Sequence, residues 1–463
     1  MQSEGQSKRS KGREMKAAVW TARHPGVVAT PAALTASGVE LGWTATGGIV
    51  GGAAAGLTAW YRAHPDTFDR FAAPRVRSVW RRWSHYLGHR WADALRACEL
   101  VTTHRKTGEE QVPRVLRVRA HSPSVETIYV RFCQGQHPRH FEDRAEELAE
   151  ALKAERVAVE RVKPLVLALV VQRREPFTET IDAPDMPDDA DAVDPSSLCV
   201  GENEYGGEFR LGLTGGKHVF VAGASGSGKN SISASLLRGL APAIRAGLVR
   251  LWIADPKQLE FAALAPIAHR YADSTTPDNG YGCGELVTEY VETMQARQRD
   301  LKATGQRKAT ISREHPLDLL ILDELGALLA YGDGATALQL KKDLSLVASQ
   351  GRATGHTMLG MVQEPTKDTV PVRELFTVRV CLRVTSASHV NMVLGDNMRE
   401  RGAIADEIPN TDDTAGIGYV VRHRTRVPMR IRAAYVNDAE LDALVRFVAS
   451  NPPLPAGELR AVV

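Results

Sequence analysis

Residues 218–231 read His-Val-Phe-Val-Ala-Gly-Ala-Ser-Gly-Ser-Gly-Lys-Asn-Ser. His218–Ala222 is a short apolar strand. The nine residues after it, Gly223, Ala224, Ser225, Gly226, Ser227, Gly228, Lys229, Asn230 and Ser231, open a helical pattern with Ile232, Leu236, Leu237 and Leu240 on one side. Strand, glycine loop, lysine and helix is the context of a phosphate-binding loop. Glycines let the backbone N–H groups turn inward around a phosphate, the helix N-terminus adds positive potential, and the Lys229 ammonium reaches the terminal phosphate oxygens. One position departs from the pattern. The residue after the lysine is ordinarily Ser or Thr, whose hydroxyl ligates Mg²⁺, and here it is Asn230. Ser231 is turned by about 100° on a helix and does not substitute in the same geometry. Either the Asn230 amide oxygen or a water completes the metal shell, or hydrolysis is impaired.

Downstream, Asp318-Leu-Leu-Ile-Leu-Asp323-Glu324 describes a buried parallel strand whose C-terminal edge presents two acids. Facing the loop, Asp323 would hold Mg²⁺ through water and Glu324 would polarise an attacking water. Between the two motifs Val249–Ala254 is a further strand, ending in Asp255-Pro-Lys257-Gln-Leu-Glu260-Phe261, which on its own reads only as a turn.

The chain has 463 residues, 43% hydrophobic and 24% charged, with a net charge of +3. These values exclude a disordered or fibrous protein and leave a nucleic-acid partner to be argued locally. The five cysteines are scattered without a CxxC pair, which speaks against a disulfide scaffold or zinc knuckle and for a reducing compartment.

Residues 1–24 form a basic arm with a net charge of +4. Within 25–61, the stretch Leu41–Tyr61 lacks charge, is bracketed by Trp43 and Trp60-Tyr61, and spaces Gly48, Gly52 and Gly56 four apart. It reads as a membrane span, with a glycine-rich surface segment as the competing reading. Residues 62–110 are a helical belt rich in Arg and Trp; such a belt favours the cytoplasmic side, which would place all that follows inside the cell, while the basic arm before the span pulls the other way and leaves the topology open. Residues 111–178 read as a small α+β module: strands around Val115–Val118 and Val125–Val130, a helix over Glu142–Ala154 and a strand over Leu165–Val171. Residues 179–197, with seven acids and three prolines in 179–195, read as a flexible linker and domain boundary. The nucleotide-binding domain follows at 198–450 and a tail at 451–463.

The Asp255-Pro-Lys-x-x-Glu260-Phe261 stretch resembles the motor domain of the FtsK/SpoIIIE family of DNA translocases. So do, in order, Ser349-Gln-Gly-Arg352-Ala-Thr-Gly355-His356, Met361-Val-Gln363-Glu-Pro365, Phe376-Thr-Val-Arg379-Val, Leu394-Gly-Asp396, Gly418-Tyr-Val420 and Arg430–Val436. The resemblance covers about 200–450. It implies an α/β, RecA-like P-loop ATPase core with a mainly parallel sheet, ATP and Mg²⁺ as cofactors, double-stranded DNA as partner and assembly into a ring, a hexamer in that family. It implies Gln363 as a γ-phosphate sensor, with Arg352, Arg379 and Arg383 as candidates for an arginine acting on a neighbouring subunit. Lys257, Lys341, Lys342 and Arg373 become candidate DNA-backbone contacts, and Arg422, Arg424, Arg426, Arg430 and Arg432 offer a basic hairpin edge. Within the family the chain looks most like actinobacterial conjugation proteins of the TraB/TraSA type, implying a membrane-tethered motor that moves plasmid or integrative-element DNA. Nothing after about residue 450 reads as a sequence-reading winged-helix module. Two other readings remain: a protein-secretion ATPase sharing this core, and a non-hydrolysing, nucleotide-gated membrane scaffold motivated by Asn230.

Overall fold

A computed structural model describes residues 35–40, 42–104, 107–258, 260–274, 282–330, 334–365, 372–422 and 427–450. The basic arm, the tail, and Arg424 and Arg426 lie outside the described residues. The chain divides into two compact units, Met1–Arg77 and Ser78–Val463.

In the first unit the uncharged stretch is a helix, Trp43–Ala63, followed by a short helix, Pro65–Phe71. The Phe68 ring packs edge-on against Trp60 and Tyr61, at 5.7 and 5.3 Å between centroids. Residues 25–34 and Leu41 of the expected membrane region lie outside the described residues, and among the described residues no helix is long and apolar enough to cross a membrane. Glycine and threonine contribute too little apolar surface to Trp43–Ala63.

The second unit contains all the strands. β1 (Thr102–Thr103) and β2 (Glu110–Gln111) form a minimal antiparallel pair. β3 (Arg114–Ala120), β4 (Val125–Arg131), β5 (Arg156–Lys163) and β6 (Val166–Gln172) form an antiparallel sheet in the order β3-β4-β6-β5. β5 goes beyond the sequence reading: its exposed second half, Glu160–Lys163, dilutes the apolar signal of Arg156–Val159. The helix expected over Glu142–Ala154 is two shorter ones, Pro138–Glu142 and Ala145–Leu152. The preceding basic segment is not only a charged belt. Its Tyr86, Trp91 and Leu95 are buried in the core of this sheet with Ile128, Phe141 and Leu169, and the Trp91 indole donates to the Pro113 carbonyl at 2.8 Å.

The other ten strands make one sheet. They are β7 (Leu198–Asn203), β8 (Gly207–Leu211), β9 (Val219–Ala222), β10 (Val249–Ala254), β11 (Arg270–Ala272), β12 (Leu317–Leu322), β13 (His356–Val362), β14 (Val378–Leu382), β15 (Ile417–Val421) and β16 (Pro428–Ala433), in the order β11-β10-β12-β13-β9-β14-β15-β16-β7-β8. The first six in that order are parallel, and the rest join antiparallel. Helices cover both faces, so the central strands are apolar throughout. Alternation still sorts them: Val219 and Val221 join one core with Ile232, Leu236 and Leu359, while Phe220 and Ala222 join the other with Trp252, Tyr290 and Met358.

The acidic stretch expected to be a flexible linker is held against this sheet. Backbone carbonyls bind it: Tyr435 N–H donates to Ile181 O at 2.8 Å, and Arg432 and Arg238 donate to Glu179 O and Pro184 O. Ala190 and Val193 are buried in the core. Its carboxylates face outward while its few apolar side chains face inward, a pattern that composition alone hides. The four-stranded module is likewise joined to the large sheet by charge. The buried Arg156 guanidinium pairs with buried Glu204 and donates to Gly402 O at 2.8 Å, Arg422 pairs with Glu160 at 2.9 Å, and Arg430 pairs with Glu175. Arg430 and Arg432 are therefore buried, not a basic edge.

At the opposite end of β12 from Asp323, Asp318 is fully buried. It accepts from Arg250 Nε at 2.8 Å, Arg297 at 2.6 Å and the Trp252 indole at 2.8 Å. Burial works against its charge, but the Arg250 hydrogen bonds and the neighbouring His356 and Arg297 hold its carboxyl below the usual range. Removing one partner of such a pair leaves the other charged and buried. Asp318→Ala is expected to cost about 3–5 kcal/mol of stability, measured by denaturant unfolding; a loss below about 1 kcal/mol would refute this.

Candidate nucleotide site

The C-terminal ends of β9, β10, β12 and β13 lie at one edge of the sheet, because these strands are parallel neighbours. The loop after β9 turns directly into the helix Lys229–Arg245. Gly228 has φ +87°, and a Cβ there would stand 2.7 Å from Gly416 N, so only glycine fits. The loop and the adjoining strand ends enclose a cavity of about 700 Å³. Ser225, Gly226, Ser227, Gly228, Lys229, Asn230 and Ser231 line it together with Asp323, Gln363, Lys257 and Glu260. Gly223 and Ala224 act from behind: their carbonyls accept from Lys229 Nζ at 2.7 and 3.3 Å. Burial pushes the Lys229 ammonium down and nearby Glu324 opposes that shift.

Glu324, the second residue after β12, has a left-handed φ of +49°, an uncommon conformation for a non-glycine residue and one that aims a side chain where a regular backbone would not. Its carboxylate pairs with Lys257 Nζ at 3.0 Å and accepts from the Gln363 backbone N–H at 3.3 Å. Lys257 is therefore a partner within the site. It is positioned by Asp255, which is fully buried at the end of β10 and accepts from the backbone N–H groups of Gln258 and Phe261 at 3.2 and 3.0 Å, tying the turn back on itself.

Asp323 is buried, and its Oδ2 has no hydrogen-bond partner among the described residues. Burial, reinforced by Asp255, pushes its carboxyl up to about 6. A buried carboxylate with a spare oxygen beside further acids suits a hard divalent cation, so the residues fit Mg²⁺. The Asn230 side-chain amide donates to the Glu260 carboxylate. With its N–H engaged there, the amide presents its oxygen as the remaining polar atom, compatible with a place in the metal's shell.

Arg352 lies elsewhere. It ends the helix Gly334–Thr354 and packs on Gly216, before the start of β9, at the sheet edge opposite the loop. Arg383 instead supports the loop, donating to Ser225 O at 2.5 Å, and its carbonyl accepts from Ala224 N–H at 2.8 Å. Arg379 and Arg373 both lie within ion-pair distance of Glu374. Lys341 and Lys342 are exposed on the helix Gly334–Thr354. Sequence reasoning missed the contributions of Lys257 and Glu260 to the cavity, and also Thr180, Asp412, Asp413, Arg432 and Tyr435. Lys257 and Glu260 carried a signal in their spacing after β10, and Arg432 and Tyr435 lie in the Arg430–Val436 block, which reads as a strand and not as part of the site.

Residues 190–407 match the model of the FtsK/SpoIIIE family. The chain carries an FtsK/SpoIIIE family domain. This domain is a P-loop ATPase. The chain is 25% identical over 277 residues to the DNA translocase FtsK of Tropheryma whipplei, covering 56% of this chain and 35% of that protein. It is 21% identical over 346 residues to the DNA translocase FtsK of Streptococcus pyogenes, covering 70% and 41%. The match spans about a third of the length of the Tropheryma relative. Among solved structures, the pCW3 conjugation coupling protein TcpA with ATPγS is similar at a TM-score of 0.48 and 16% identity, covering 77% of this chain and 98% of that one. The type VII secretion ATPase EccC of Thermomonospora curvata is similar at 0.44 and 19%, covering 59% and 33%.

Two outcomes follow from the site. Between pH about 4 and 6 the folded chain keeps a proton on Asp323 that the unfolded chain has released, so this group's contribution to stability falls as pH rises through that window. Asp323→Asn is therefore expected to abolish hydrolysis while raising unfolding stability at pH 7–8 by up to about 3 kcal/mol, with the gain vanishing near pH 4. An equal effect at both pH values would refute it. Asn230→Ser is expected to hydrolyse ATP within about tenfold of the natural chain, the range that one hydrogen bond controls. A larger rise would show that Asn230 suppresses turnover.

Proposed function

We propose that this protein is an ATP-driven motor that moves double-stranded DNA, working as a ring of its own copies. The observation that carries the reading is a single cavity joining Lys229, Asp323 and Gln363 within a domain that matches the FtsK/SpoIIIE family over 190–407. Relatives over this region are named DNA translocases.

In this reading Lys229 exchanges a loop carbonyl for the β- and γ-phosphate oxygens, and the helix N-terminus behind it adds positive potential. Asp323 and Asn230 would hold Mg²⁺, which when bound neutralises charge on the phosphates. Glu324 orients the attacking water and accepts its proton, held by Lys257 on one side and the Gln363 N–H on the other. Gln363 lines the same cavity at the end of β13 and senses the terminal phosphate from there. Arg352, remote from its own chain's cavity, is free to serve a neighbouring copy, where an arginine stabilises charge that develops during cleavage.

A motor that steps along any sequence grips phosphates, not bases. The exposed Lys341 and Lys342 supply suitable cations. Membrane association is part of the proposal. Val79, Trp80 and Trp83 are exposed on the helix Ala73–His85, next to arginines, the composition of a helix that lies on an anionic membrane surface. The finer reading, transfer of plasmid or integrative-element DNA in actinobacterial conjugation, draws on this belt and on the family resemblance of the sequence.

Duplex DNA is expected to stimulate ATP hydrolysis by the full chain. Lys229→Ala is expected to remove the activity, and Glu324→Gln to lower turnover about 10²–10⁴-fold while nucleotide is still bound. Hydrolysis that is indifferent to duplex DNA, or unchanged in Lys229→Ala, would overturn the reading.

A further inference from the structure

The cavity has a second side that the hydrolytic residues do not use. β15 runs antiparallel to β14, and β16 antiparallel to β15, so the start of β15 and the end of β16 return to the edge where β9 ends. This return touches the phosphate loop: Gly416 N–H donates to Ser227 O at 2.9 Å. Asp412, Asp413 and Tyr435, carried by it, line the same cavity. The sheet order β12-β13-β9-β14-β15-β16 puts them across the loop from Asp323 and Gln363.

We infer that this is the nucleoside side of the site, where the Tyr435 ring stacks on a purine base and Asp413 accepts from a ribose hydroxyl. A carboxylate can only accept hydrogen bonds and repels a polyphosphate, so Asp413 does not serve the phosphates. A ribose hydroxyl is a donor it can use. Tyr435 is 55% exposed although it lines the cavity, so its ring has an uncovered face. Its backbone is fixed by the bond to Ile181 O at 2.8 Å. The acidic stretch that supplies this carbonyl also brings Thr180 into the lining, held in turn by Arg432 on Glu179 O at 2.8 Å. The cavity's volume of about 700 Å³ is of a size that holds such a ligand.

The inference rests on the ATPase reading and concerns recognition of its substrate. The test measures binding of ATP and of inorganic tripolyphosphate to the full chain, with Mg²⁺ and without DNA, so that a failure of DNA stimulation does not touch it. Tyr435→Ala is expected to weaken ATP about tenfold and leave tripolyphosphate unchanged, while Tyr435→Phe, which keeps the ring, binds both as the natural chain does. Asp413→Asn is expected to weaken ATP but not 2′,3′-dideoxy-ATP. Lys229→Ala weakens ATP and tripolyphosphate alike, which separates loss of the phosphate site from loss of nucleoside recognition. Unchanged ATP binding in Tyr435→Ala, an equal loss for tripolyphosphate, or an equal loss for the dideoxy nucleotide in Asp413→Asn would overturn the inference.

Discussion

Two ammonium groups, Lys229 and Lys257, share the loop edge with four carboxylates, Asp255, Glu260, Asp323 and Glu324. The surplus of acid is the constraint around which the ATPase domain is arranged. Asp255 disposes of its charge in the backbone of its own turn, Glu260 takes the Asn230 amide, and Glu324 takes Lys257. Asp323 is left with an oxygen that nothing in the described chain satisfies. A buried acceptor of that kind is costly alone and favourable beside a cation. Parallel strands make the arrangement possible, because only they bring so many C-terminal ends to one line.

The central elements could be read directly from the chain. Val249–Ala254 and the apolar run ending in Asp323-Glu324 are strands as their composition demands, and the glycine loop sits between strand and helix. These succeed because burial on both faces makes sequence and environment agree. The failures lie in segments whose composition hides their surroundings. β5 is half exposed and reads as polar. The stretch 179–197 looks unfoldable because its anchors are its own carbonyls, which leave no trace in side-chain composition. Arg430 and Arg432 look like surface charge until Tyr419, Glu175 and the Phe177 and Glu179 carbonyls surround them.

The candidate site divides the same way. Lys229, Asp323 and Gln363 come from motifs and converge as those motifs require. Asp413 and Thr180 belong to no motif, and Tyr435 lies in the Arg430–Val436 block, which reads as a closing strand and not as part of the site. They arrive by the reversal of β15 and β16 and by the path of the strap, and a topology of that kind is visible only once strands are paired. Arg352 shows the complementary case, a residue placed by its helix at the far edge of the sheet.

The Arg156–Glu204 pair bears on how this chain can be divided. The family match begins at residue 190, and a fragment cut there would retain Glu204 in the sheet without the guanidinium that neutralises it. The same cut discards Thr180 and Ile181, opening one wall of the nucleotide pocket and unpinning Tyr435. A fragment that keeps both this ion pair and this wall has to reach back through the four-stranded module, and sequence similarity alone would place the scissors too late.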